Sequence, residues 1–229
     1  FDPDPEIRVE EADALLRGVE QAMSEGGIEL LTLSGSSPSP ATHQLYSDLI
    51  AVARSRRVPV LLDTYGPALE AVWGFWPEVL KVNRREAACA LGDSSRPTDD
   101  AIFGLLRDWA RHGVQVGVVT DGPHAILVQA RGGRYRIVPP RIEAVNPIGS
   151  GDCLLAGLAD GLLAGLETEP LLKHGVACAV ANALTWDAGD IDPEEITRLE
   201  AEIDVESLGP APDDFGPAML VRKTVGRKR

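Results

Sequence analysis

Residues 145–163 read VNPIGSGDCLLAGLADGLL, and two glycines, a serine and an aspartate sit in that run where an apolar helix begins. The N–H groups of Gly149, Ser150 and Gly151 can converge there without Cβ hindrance, and the positive end of the following helix favours an anion beside them. Asp152 then places a carboxylate next to the anion hole. Taken alone, the run also reads as a glycine loop with an acid in the first turn of a helix. The pattern on either side decides between these readings.

Working outward, helical periodicity alternates with short β-rich runs, as in a parallel sheet covered by helices. A helix is predicted over about 9–25, a buried strand over 28–33 (IELLTL), and a loop at SGSSPSP. A helix near 42–55 leads to the strand VPVLLD at 58–63, and a short helix leads to VLKV at 79–82. Helices near 84–91 and 98–112 precede VQVGVVT at 114–120, after which AILVQA and RYRIVP flank Arg131, Gly132 and Gly133 as a hairpin. Helices over about 151–165 and 169–186 close the α/β domain, predicted to span 1–208. The remainder, 209–229, starts near PAPDDFGP and is predicted to be a flexible tail with a basic end, VRKTVGRKR.

Composition limits the partners. The 229 residues carry a net charge of −13, which argues against nucleic acid and anionic membrane surfaces, so any phosphate must be gripped locally. Cys89, Cys153 and Cys178 are odd in number and form no CxxC pair. Neither a disulfide framework nor a zinc site is expected, and a reducing, cytoplasmic setting fits. No apolar run reaches membrane-spanning length. His43, His112, His124 and His174 lack metal-ligand spacing.

In an open α/β sheet ligands bind beyond the carboxyl ends of the strands. Four loops there carry chemistry: SGSSPSP after Leu33, KVNRRE around Asn83, TDGPHA after Val119, and NPIGSGD. There is no Walker pattern, no third glycine of a dinucleotide fingerprint, no HExxH and no nucleophile elbow, so the corresponding enzyme classes drop out.

These four loops, in this order, resemble the ribokinase-like (PfkB) carbohydrate kinases and within them the hexose-phosphate branch, which includes 1-phosphofructokinase and tagatose-6-phosphate kinase. LSGSSPSP resembles that branch's LSGSLPPG, KVNRRE its KPNxxE, TDGPHA its SLGxxG and VNPIGSGD its VNxxGAGD, over about residues 5–192. The resemblance implies a three-layer α/β/α domain with a mostly parallel sheet, lacking the family's first strands and its small β lid at the N-terminus. About a hundred family residues precede the position that Phe1 matches, judged from the usual size of such a domain.

The implied reaction is transfer of the ATP γ-phosphoryl to a hydroxyl of a phosphorylated ketohexose: tagatose 6-phosphate, fructose 1-phosphate or fructose 6-phosphate. Asp152 is implied as the base, with the amides of Gly149, Ser150 and Gly151 holding developing charge. Asn83 and Glu86 are implied to act on Mg2+ through its waters, and Lys81 to point at the nucleotide phosphates. On local pattern the same Asn83–Glu86 pair reads as a capping box, and both roles can coexist. Thr120 and Gly122 are implied to line the phosphate and ribose path, Asn182 to approach the adenine, and Ser34, Gly35 and Ser36 to lie beside the sugar phosphate. The implied partners are ATP and a small phosphosugar, and the family's lid, absent from this sequence, is implied as a homodimer contact. Two other readings stay open: a noncatalytic nucleotide-binding remnant or regulatory module, and a kinase of an unphosphorylated sugar or nucleoside.

The chain departs from the family pattern at Ser39, Pro40, Ile148 and Ser150, and Ala125 replaces the second glycine of SLGxxG. If that position needs a positive φ, the Ala125 Cβ is strained.

Overall fold

Strand order follows chain order. The computed structural model describes residues 5–92 and 95–211, and in it seven strands form one sheet in the order β1 to β7. The strands are β1 (Leu31–Ser34), β2 (Val60–Asp63), β3 (Val79–Asn83), β4 (Val116–Thr120), β5 (Ile126–Ala130), β6 (Gly133–Ile137) and β7 (Val205–Ser207). The pairings from β1 to β4 are parallel and those from β4 to β7 antiparallel. Only β5 and β7 therefore run against the rest, and the sheet is mostly parallel in strand direction.

The helices are α1 (Val9–Glu25), α2 (Leu45–Ser55), α3 (Pro67–Ala71), α4 (Arg84–Ala90), α5 (Asp99–Arg111), α6 (Ser150–Leu163), α7 (Thr168–Ala183) and α8 (Pro193–Glu202). Alternation along the strands splits the core into two faces. Leu62, Leu80, Val119 and Leu127 pack with Met23, Ile50 and Trp109 on the side of α1, α2 and α5. Their neighbours Leu61, Val79, Val118 and Val128 pack with Leu155, Leu172 and Leu199 on the side of α6, α7 and α8. Each fully buried leucine contributes about 1.5–3 kcal/mol, so both faces are fastened and the three layers follow.

Local signals account for where the helices start. Thr98 Oγ1 accepts the Ala101 N–H at 3.2 Å and Asp99 and Asp100 fill the first turn of α5; Asp192 caps α8 by accepting the Glu194 N–H at 2.9 Å. The structure adds α8 and β7, which the sequence pattern did not predict, and ends α7 at Ala183 rather than 186. Most of the predicted tail, 212–229, lies outside the described residues. No helix among the described residues is long and apolar enough to cross a membrane.

Candidate active site

Strand register lines up the chemistry. At the carboxyl edge Ser34 of β1 sits beside Asp63 of β2, Asp63 beside Lys81 of β3, and Asn83 beside Thr120 of β4. The start of α6 reaches over this edge: Ser34 Oγ donates to Asp152 Oδ1 at 2.5 Å across 118 positions of chain. Tyr46 Oη donates to the Ser34 carbonyl at 3.0 Å, Thr64 Oγ1 to the Gly35 carbonyl at 2.8 Å, and the Gly35 N–H to the Asp63 carbonyl at 3.0 Å. The SGSS loop is thus pinned to β2 and α2.

Beneath α6 lies a buried ion pair. Lys81 Nζ donates to Asp63 Oδ2 at 2.5 Å, with the two side chains 6% and 13% exposed. So enclosed an ammonium must be paired, and Lys81 spends its charge on Asp63 rather than presenting it bare to a ligand. Burial pushes the Asp63 carboxyl upward; Lys81 opposes the shift and the nearby Asp152 adds to it. The Glu86 carboxyl is pushed up by burial, against the pull of the Asn83 N–H and of Lys81. Gly151 roofs this pair, since a Cβ there would lie 2.6 Å from Lys81 Nζ.

Asn83 and Glu86 make the capping box in full: Asn83 Oδ1 accepts the Glu86 N–H at 2.9 Å, and Glu86 Oε2 accepts the Asn83 N–H at 2.7 Å. The Asn83 side chain also lies within hydrogen-bonding reach of the Glu86 carboxylate, so the two side chains are held together at the start of α4.

Gly149 takes the left-handed conformation, φ +82°, as the N-cap of α6, and its absent Cβ would lie 3.0 Å from Ala188 Cβ. The anion hole differs in one donor from the sequence expectation. The Ser150 N–H bonds to the Pro147 carbonyl at 3.2 Å, whereas the amides of Gly149, Gly151 and Asp152 have no backbone acceptor among the described residues. First-turn donors are left over by helix geometry, and here they open beside the Asp152 carboxylate.

Asn182, expected to approach an adenine, is completely buried. Its Nδ2 donates to the Ile148 carbonyl at 2.9 Å and Ser150 Oγ at 3.1 Å, and its Oδ1 accepts from the Gly189 N–H at 2.8 Å and from Cys153 Sγ at 3.3 Å. The side chain is consumed in fixing the loop before α6 to the loop after α7. Asn146 Nδ2 on the Trp186 carbonyl, at 2.8 Å, strengthens the same seam.

Thr120 and Gly122 stand at the end of β4 on the same edge, and Gly35 and Ser36 follow Ser34 there. Ala125 does not take a positive φ, so the strain expected of its Cβ does not arise. Asp63, Thr64 and Tyr46 were not singled out from sequence. The available signal was the aspartate ending the otherwise apolar strand VPVLLD, in the same edge position as the four loops.

A model of the pfkB family carbohydrate kinases matches residues 10–194. Among solved structures, a protein described as a possible 1-phosphofructokinase from Thermotoga maritima superposes with a TM-score of 0.78 at 23% identity, over 91% of this chain and 65% of that one. The tetrameric inhibited form of phosphofructokinase-2 from Escherichia coli gives 0.76 at 20% identity, over 88% and 64%. The same enzyme in complex with fructose-6-phosphate gives 0.72 at 21%, over 88% and 64%. The chain thus spans just under two thirds of the length of these structures, and at such identities the likeness speaks for the fold.

Proposed function

Because the chain belongs to the pfkB family of carbohydrate kinases, we propose that it transfers the γ-phosphoryl of ATP to a hydroxyl of a phosphorylated ketohexose. The observation that carries this reading is the Ser34–Asp152 hydrogen bond: an alcohol O–H already donates to the Asp152 carboxylate, beside the open amides of Gly149, Gly151 and Asp152. An acceptor hydroxyl taking the place of Ser34 Oγ is oriented for attack by the same carboxylate, which receives its proton. The amides hold negative charge as it develops on the transferred oxygens.

Lys81 and Asp63 serve this arrangement from below, keeping α6 seated over the strand edge with their charges matched. Thr120 and Gly122 lie along the nucleotide path, and Ser34, Gly35 and Ser36 lie beside the phosphosugar. Magnesium would supply neutralising charge at the nucleotide phosphates, and Asn83 and Glu86, at the start of α4, would hold its waters.

The test is turnover of the full chain with ATP and magnesium on tagatose 6-phosphate, fructose 1-phosphate, fructose 6-phosphate and free ribose. Transfer to one of the phosphorylated ketohexoses is expected, and Asp152→Asn should lower it about 10²–10⁴-fold while ATP still raises the thermal midpoint. A preference for ribose overturns the acceptor class. Unchanged turnover in the variant overturns the role of Asp152, and transfer to none of the four overturns the activity.

A further inference from the structure

A cleft of about 530 Å³ opens where β4 and β6 end, within the range of small-molecule sites. Four guanidiniums line it, those of Arg84, Arg96, Arg136 and Arg141, in a chain whose net charge is −13. None of Lys81, Asn83, Glu86, Thr120, Gly122 or the Gly149–Gly151 loop takes part in its walls. It also lies on the other side of the sheet. Ile137 packs into the core beneath α6 and α7, so its neighbour Arg136 projects toward α5, whose first residue Asp99 lines the cleft.

The charges there do not cancel. Arg84 is nine-tenths buried and bonds to the Pro97 carbonyl at 2.8 Å and Asp99 Oδ1 at 2.5 Å. Its Nε lies 3.2 Å from Asp121 Oδ2 without a hydrogen bond, and the same oxygen accepts from Arg96. These two arginines and two aspartates make a neutral, fixed floor. Above it, Arg136 has only Glu206 at 3.7 Å, a residue outside the cleft, and Arg141 has no charged partner among the described residues. One guanidinium paired only loosely, that of Arg136, and one unpaired, that of Arg141, stand over the floor and match the oxygens of a phosphate group, and Pro123, Val138 and Pro139 offer apolar wall to the remainder of a ligand.

We infer that this cleft is a second anion site, one that takes a small phosphate-bearing metabolite on the face of the sheet opposite the Asp152 loop. Its floor adjoins the active edge, since Arg84 follows Asn83 and Asp121 lies between Thr120 and Gly122. Occupancy therefore bears on both loops assigned to the nucleotide, a coupling that rests on the kinase reading; the binding itself does not.

Calorimetric titration of the full chain with inorganic pyrophosphate, without ATP, tests the site. Binding to the unmodified chain is expected, and Arg136→Ala/Arg141→Ala should weaken it at least about tenfold, since each charged hydrogen bond is worth about 1.5–3 kcal/mol. Both arginines lie at the rim, so the double variant should unfold at the unmodified midpoint and keep its thermal response to ATP with magnesium. Equal affinity in the two proteins puts pyrophosphate on the Gly149–Gly151 loop and overturns the inference. So does an absence of binding to the unmodified chain at millimolar concentration. Because no turnover is read, failure here leaves the kinase reading standing, and failure of transfer leaves this site testable.

Discussion

Asn182→Ala should loosen the seam between the loop before α6 and the loop after α7. The side chain makes two hydrogen bonds to main chain, with Ile148 and Gly189, and two to side chains, Ser150 and Cys153. Ile148 and Gly189 are exposed residues, so water can reach their freed groups and the full penalty of burying them unpaired does not apply. At about 1 kcal/mol net for each main-chain bond, less for the side-chain pair, and a further increment for the small void, the loss comes to about 2–4 kcal/mol. For a chain of this size, that lowers the thermal midpoint by about 5–15 °C. Calorimetric unfolding reads the midpoint, and hydrogen exchange reads whether the Gly189 amide loses protection relative to the core of α7. Asn182→Asp keeps the acceptor but loses both donors and buries a charge, so it should fall at least as far. A midpoint within about 2 °C of the unmodified chain, with Gly189 still protected, refutes the hub.

Gly149→Ala forces a Cβ into a left-handed residue and against Ala188, so it should cost about 1–2 kcal/mol or more and weaken the thermal response to ATP; an unaltered response counts against an anion at that loop. Glu78 is buried with Oε2 accepting the Val60 N–H at 2.6 Å, and burial pushes its carboxyl above the ordinary 4.5 despite that bond. A carboxyl whose pKa is raised by folding stabilises the native state fully below the unfolded value and loses that contribution as pH rises through the folded one. Glu78→Gln should therefore raise the midpoint at neutral pH, with the gain over the unmodified chain fading as pH falls toward 4.5. Midpoints measured across that range check it, and a gain that grows on acidification contradicts the assignment.

What could be read in advance was whatever a local pattern carries. β2, β3 and β4 are apolar runs at a sheet centre, and NPIGSGD announces a turn into a helix by composition alone. α8 escaped because its single deeply buried residue, Leu199, sets up no apolar stripe, and β7 because Val205–Ser207 is a three-residue edge strand defined by its register with β6. Asp63 ends an apolar strand in the sequence, but its partner became visible only when pairing set it opposite Lys81, a fact of register rather than of sequence spacing. Asn182 is the converse: a polar residue on an apolar helix near the expected nucleotide path suggests a ligand, and only the packed structure shows its bonds already taken.

A sheet laid down in chain order has a kinetic meaning. Each pairing from β1 to β6 joins consecutive strands, so the closures are short and can be made as the chain emerges. Ser34 and Asp152 meet across 118 positions, after α6 has docked. Loop-closure entropy grows only logarithmically, so this meeting is affordable, yet it comes late. A nascent chain halted before α6 would hold β1 to β6 paired, with their edge residues in register and no Gly149–Asp152 loop above them, so completion of the candidate site trails assembly of its scaffold.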